Sequence, residues 1–217
     1  MNILIVGAMG RAGKLLTEYA LEAGHSVTAF SRSVDKADLS HPKLRYVKGD
    51  VLYPALLEAV MPGHDAVISV LGVRNFSGPI TLLSEGMEAI VGVMKSTGVR
   101  RVLTIGGAGI LQQTDTLLRR DDPGFPPYLH NITADHYRVY DILSRSDLDW
   151  TIVTPPYMPD GERTSEYLVE ADYFPQNARN EIAVEDVADF IMKELVDKNF
   201  VGKRVGIAYP VKEEDDD

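Results

Sequence analysis

Gly7-Ala8-Met9-Gly10-Arg11-Ala12-Gly13 decides the fold of this chain. It follows the apolar run Ile3-Leu4-Ile5-Val6 without a gap and opens a helical pattern that continues through Leu16 and Ala20. A strand, a glycine-rich turn and a helix in immediate succession let a backbone free of side chains approach a pyrophosphate, which then rests on the helix N-terminus. A mononucleotide phosphate loop is disfavoured, because Leu15 stands after Lys14 where that loop needs Ser or Thr.

Outward from the turn, β-branched apolar runs alternate with helical patterns, the signature of βαβ units around a mostly parallel sheet. Strands are expected at 2–7, 26–31, 44–48, 65–71, 101–106, 149–154 and 204–208, and helices at 11–23, 54–61, 79–97, 133–146 and 184–197. Segments 108–132 and 155–180, rich in Pro and Gly, read as long loops on the substrate side, beyond the carboxyl ends of the strands. The expected architecture is α/β: a doubly wound, mostly parallel Rossmann sheet with a small C-terminal substrate region, all within one domain over 1–217.

About twenty residues past the turn, a site for NAD places an acid that bonds the ribose 2′-hydroxyl. Here the stretch reads Phe30-Ser31-Arg32-Ser33, with no carboxylate. The planar fork of Arg32 suits a 2′-phosphate, and Arg11 inside the turn offers a second cation, so NADP(H) is the expected cofactor. The net charge of -10 argues against binding nucleic acid through its phosphates. Part of that charge sits in the terminal run 212–217, read as a solvated tail. There is no cysteine, the five histidines lack the spacing of a metal-ligand pair, and no apolar stretch is long enough for a membrane helix. Without a signal-peptide pattern, the expected location is cytoplasmic.

With Arg32, Gly49-Asp50-Val51 and Leu71-Gly72-Val73-Arg74-Asn75 added to the turn, the chain resembles the atypical short-chain dehydrogenases, in particular the biliverdin-IXβ reductase/flavin reductase branch. The likeness continues through Ser84-Glu85-Gly86, Thr133-Ala134-Asp135-His136, Leu148-Asp149-Trp150-Thr151 and Pro155-Pro156-Tyr157. The resemblance implies that Asp50 and Val51 flank the adenine and that Leu71 and Gly72 line the adenosine side. It places Arg74 near the phosphates or ribose, and Pro155, Pro156 and Tyr157 over the nicotinamide. Together with Gly7, Met9, Gly10, Arg11, Ala12, Gly13, Ser31, Arg32 and Gly106, these form the expected cofactor site.

The departures bear on chemistry. Ordinary members of the family use Tyr-x-x-x-Lys to protonate a substrate oxygen, and no tyrosine here has a lysine four residues later. Those registers fall on Ile132 and His136, and Gly106-Gly107 stands where this branch carries a serine near the nicotinamide. His136, at the nicotinamide ribose, and Tyr157, as a donor, are the candidate catalytic residues. The expected activity is transfer of hydride from NADPH to a flavin, a quinone or a linear tetrapyrrole, planar acceptors that take their proton from solvent. The alternative is a non-catalytic NADP(H)-binding redox sensor or regulatory protein; nucleotide-sugar epimerase chemistry is disfavoured by the missing tyrosine and lysine. A monomer or small homo-oligomer is expected.

Overall fold

β1 (Asn2–Val6) shows why the apolar runs become interior strands: Ile3 and Ile5 point to one face of the sheet, Leu4 and Val6 to the other, and all four are buried. A strand covered on both faces needs no polar alternation. The computed structural model describes residues 1–211, so the acidic run at 212–217 lies outside the described residues.

Among the described residues, β1 is followed by α1 (Arg11–Glu22), β2 (Ser26–Ser31), β3 (Leu44–Lys48), α2 (Pro54–Val60), β4 (Ala66–Ser69) and α3 (Leu82–Thr97). Then come β5 (Arg101–Ile105), α4 (His130–Ser144), β6 (Asp149–Thr154), β7 (Leu168–Ala171), α5 (Val184–Asp197) and β8 (Lys203–Ala208). The eight strands form one sheet in the order β3-β2-β1-β4-β5-β6-β8-β7, parallel except where β7 meets β8. This is the doubly wound Rossmann-like architecture, and the strand order reverses between β1 and β4, where such sheets bind ligands.

α1 and α5 cover one face through Leu16, Ala20, Val187, Ile191 and Leu195. α2, α3 and α4 cover the other through Leu57, Met87, Ile90, Met94 and Leu143. Each large side chain sealed in this way contributes about 1.5–3 kcal/mol. Gly98, at φ 77°, ends α3 in the left-handed region that a side chain disfavours. No helix among the described residues is long and apolar enough to cross a membrane.

Two segments depart from the sequence reading. Segment 155–180, expected as loop throughout, contains β7, whose four residues Leu168–Ala171 pair antiparallel with β8. So short a strand is invisible to periodicity and is fixed from outside: Asp172 accepts hydrogen bonds from the Arg204 backbone and guanidinium, each at 3.3 Å. Segment 108–132 is mostly irregular but holds short 3-10 turns at Ala108–Ile110, Arg119–Asp121 and Pro127–Leu129, the last running straight into α4. α4 therefore starts at His130, ahead of the expected 133.

Candidate dinucleotide site

The three glycines of the turn serve different ends. Gly7 sits at φ 90°, and a Cβ there would lie 2.8 Å from the Val70 carbonyl oxygen. A Cβ on Gly13 would meet the Gly7 carbonyl oxygen at 2.4 Å and Ala8 Cα at 2.7 Å, backbone atoms that cannot swing aside. Packing alone therefore explains these two. Gly10 is exposed at φ -76°, and its nearest neighbour for a Cβ is the Gly7 carbonyl oxygen at 3.2 Å. The fold presses least for glycine at this position, and the demand left over is for close approach from outside.

Gly10 is the N-cap of α1 without a side-chain capping bond, and the first turn of the helix holds no acid. The amides of Arg11, Ala12 and Gly13 thus keep the anion preference of an uncapped helix start. Met9 is half-buried and Ala12 buried. The residues present fit a pyrophosphate.

Beside the turn, a pocket brings together Gly7, Ser31, Arg32, Asp50, Val51, Leu71 and Gly72, seven of the expected cofactor residues from four separate stretches. Val6, Phe30, Gly49 and Leu82 complete it. Gly49 is required because a Cβ there would stand 2.4 Å from the Phe30 ring, and Gly86 within α3 leaves room for Leu71 and Val51. Arg32 is exposed at the rim, 3.9 Å from the partly buried Asp50 carboxylate, a loose pairing that leaves its fork open to a ligand. Phe30, although part of the quoted stretch, and Leu82 were not read as site residues, because their neighbours here come from distant strands and helices.

Other expected residues stand elsewhere. Arg74 is exposed in the segment between β4 and α3 and does not line the pocket. Gly106 is buried, and a Cβ there would meet Ile152 Cγ2 at 2.8 Å, so packing by itself demands glycine at this position. Arg11 is not a free cation: its NH1 donates to Asp160 Oδ1 at 2.9 Å and its NH2 to the Met158 carbonyl at 2.6 Å. Pro155 is buried and its carbonyl accepts from Ala108 N at 3.1 Å, Pro156 is half-buried, and Tyr157 is 68% exposed with its hydroxyl unbonded among the described residues.

At the end of β5, the half-buried His136 ring packs on Gly107, where a Cβ would come within 3.3 Å of Cδ2. A side chain at 107 and this imidazole therefore compete for one space, which ties the glycine pair to the histidine in the lysine register. Burial pushes the His136 imidazole down to about 4, against the opposing pull of the neighbouring Asp135, so the ring is neutral at physiological pH. Ile132, in the tyrosine register, is buried in the core.

Asp135 belongs to the architecture of this end of the site and was missed as a working residue, although its tetrapeptide had been noted. It is fully buried and caps α3 from α4, accepting from Leu83 N at 2.9 Å, Ser84 Oγ at 2.5 Å and the Arg138 guanidinium at 3.0 Å. An acid in the second turn of one helix that serves the start of another has no local sequence signature.

A family model described as NAD(P)H-binding matches residues 7–198. The uncharacterized protein YwnB of Bacillus subtilis is 30% identical over 202 residues, covering 90% of this chain and 92% of its own. Among solved structures, a candidate NADH-flavin reductase from Streptococcus pneumoniae is 29% identical with a TM-score of 0.83, covering 96% of this chain and 99% of its own. A candidate epimerase from Bacteroides thetaiotaomicron is 28% identical with a TM-score of 0.86, covering 98% of this chain and 99% of its own. The glycine turn, the pocket beside it and these likenesses agree, and the chain belongs to the NAD(P)H-binding family of Rossmann-fold proteins.

Proposed function

We propose that this protein is an NADPH-dependent oxidoreductase that reduces a planar conjugated acceptor: a flavin, a quinone or a linear tetrapyrrole. The observation that carries the reading is the pocket beside the glycine turn, with Arg32 at its rim and no carboxylate at the end of β2. When bound, the dinucleotide supplies a hydride. The α1 amides hold its pyrophosphate, Arg32 and Ser31 take the 2′-phosphate, and Asp50, Val51, Leu71 and Gly72 enclose the adenosine. Pro155 and Pro156, following β6, wall the nicotinamide side, and segments 108–132 and 155–180 form the acceptor side.

The acceptor class follows from what the chain offers at this end. His136 is neutral, Ile132 is buried and Tyr157 is solvent-exposed with no basic neighbour in hydrogen-bond contact among the described residues. An aldehyde or ketone needs a proton at the developing alkoxide. A flavin, quinone or tetrapyrrole spreads the arriving charge over its conjugated system and draws the proton from water, so positioning provides most of the rate. The name of the Streptococcus pneumoniae neighbour is in keeping with a flavin.

Titration of NADPH and NADH against the wild type and Arg32→Asp tests the cofactor. NADPH should bind more tightly to the wild type, and the substitution should weaken it by about 2 kcal/mol while affecting NADH little, since a charge-assisted contact becomes a repulsion. Equal affinity of the wild type for both would refute the preference. NADPH oxidation with FMN, riboflavin and menadione tests the reaction; tight binding without turnover of any acceptor would favour a redox sensor.

A further inference from the structure

Arg11 carries two features at once. As the first residue of α1 it contributes one of the uncapped amides beside the glycine turn, and its side chain reaches away to the segment that follows β6. There it is gripped on two sides, by the Asp160 carboxylate at 2.9 Å and the Met158 carbonyl at 2.6 Å. The bridge joins the cradle at the carboxyl end of β1 to the chain just past the carboxyl end of β6, two strands that β4 and β5 separate in the sheet.

The bridge is not needed to hold its own segment. Tyr157 O accepts from Ile182 N at 3.0 Å, Pro159 O accepts from Val184 N at 2.9 Å, and Gly161 N donates to Glu185 Oε2 at 2.8 Å, so residues on both sides of Met158 and Asp160 are tied to the start of α5. The ion pair is also wet, with side chains 47% and 76% exposed, the kind that contributes little to folding and breaks readily. An arginine offering a fork of donors, placed at an anion cradle yet held to the segment past β6 by a weak pair, is poised to open and close.

We infer that Arg11 and Asp160 form a latch along the carboxyl edge of the sheet, between the ends of β1 and β6, one that governs how fast the dinucleotide enters and leaves; the inference rests on the cofactor reading above. Asp160 is a positioning residue in this arrangement, acting only through Arg11. Closing the latch slows entry and exit together. The intrinsic affinity, set by the adenosine pocket and the α1 amides, is nearly unchanged by it.

Stopped-flow measurement of NADPH fluorescence gives both rate constants without any acceptor. In Asp160→Asn the association and dissociation rate constants should each rise about two- to fivefold, with their ratio held within about 1.5-fold, a range corresponding to the weak worth of an exposed ion pair. Asp160→Glu, which restores the carboxylate, should bring both back toward the wild type. Arg11→Lys, which keeps the charge but loses the fork, should behave like Asp160→Asn. Thermal melting of each variant within a few degrees of the wild type would accompany this result. A change confined to one rate constant would make Asp160 a modulator of the charge felt by the phosphates and overturn the latch, as would unchanged rates in both Asp160→Asn and Arg11→Lys. Wild-type protein that binds neither NADPH nor NADH would remove the cofactor reading and the latch with it, whereas normal wild-type binding with unaltered variant kinetics removes the latch alone.

Discussion

His136 makes the stability of this protein sensitive to acid in a calculable way. In the unfolded chain its imidazole titrates near the ordinary 6.5, whereas in the folded protein burial holds it at about 4. Above pH 6.5 both states are neutral and the group has no effect on the balance. Between 6.5 and 4 the unfolded chain binds a proton that the folded one refuses, so stability falls as pH falls; below 4 both are protonated and the loss is complete. Each pH unit between the two values corresponds to about 1.4 kcal/mol, and because solvent reaches the half-buried ring we expect about 2 kcal/mol in all. Carboxylates titrate over part of the same range, so the measurement is a difference. Urea unfolding of the wild type and of His136→Gln, at pH 7.5 and at pH 4.5, should show the wild type losing about 1.5 kcal/mol more than the variant. Parallel loss in the two proteins would mean that the ring titrates alike in the folded and the unfolded chain, and the argument that burial holds it neutral well below pH 6.5 would fail.

The glycine turn separates fold from ligand. Gly13→Ala puts a Cβ among backbone atoms at 2.4–2.8 Å and should cost about 2–3 kcal/mol in thermal or urea unfolding, with or without dinucleotide. Gly10→Val should lose only about 1 kcal/mol at the helix start yet abolish NADPH binding in calorimetry; a folded Gly10→Val protein with undiminished affinity would place the pyrophosphate elsewhere. Asp135→Ala strips the start of α3 of its cap and leaves the Ser84 hydroxyl and Leu83 amide buried without their acceptor, for an expected loss of about 2–3 kcal/mol by urea unfolding. A loss below about 0.5 kcal/mol would show that water replaces the carboxylate.

Local chemistry made the fold and half of the site legible. The turn from Gly7 to Gly13 could be read because its signal lies within seven consecutive residues, and the interior strands could be read because burial on both faces leaves an uninterrupted apolar run such as Ile3-Leu4-Ile5-Val6. Ser31 and Arg32 were read from the end of β2, whereas Asp50, Val51, Leu71 and Gly72 came from the family resemblance; all lie at or just past the carboxyl end of a strand, and a parallel sheet brings those ends to one edge. What the tertiary structure decided were relations between distant segments. β7 exists because Asp172 and β8 hold it, Asp135 caps a helix 52 positions away, and Arg11 is drawn to Asp160 across 149 positions. The environment of His136 belongs here too, since a histidine on a helix is unremarkable until the fold packs its ring against Gly107 and burial lowers its pKa. Sequence patterns record what each residue needs from its near neighbours and from water. Hydrogen-bond partners, steric exclusion and desolvation at long separation arise only when the sheet has closed and its helices have packed.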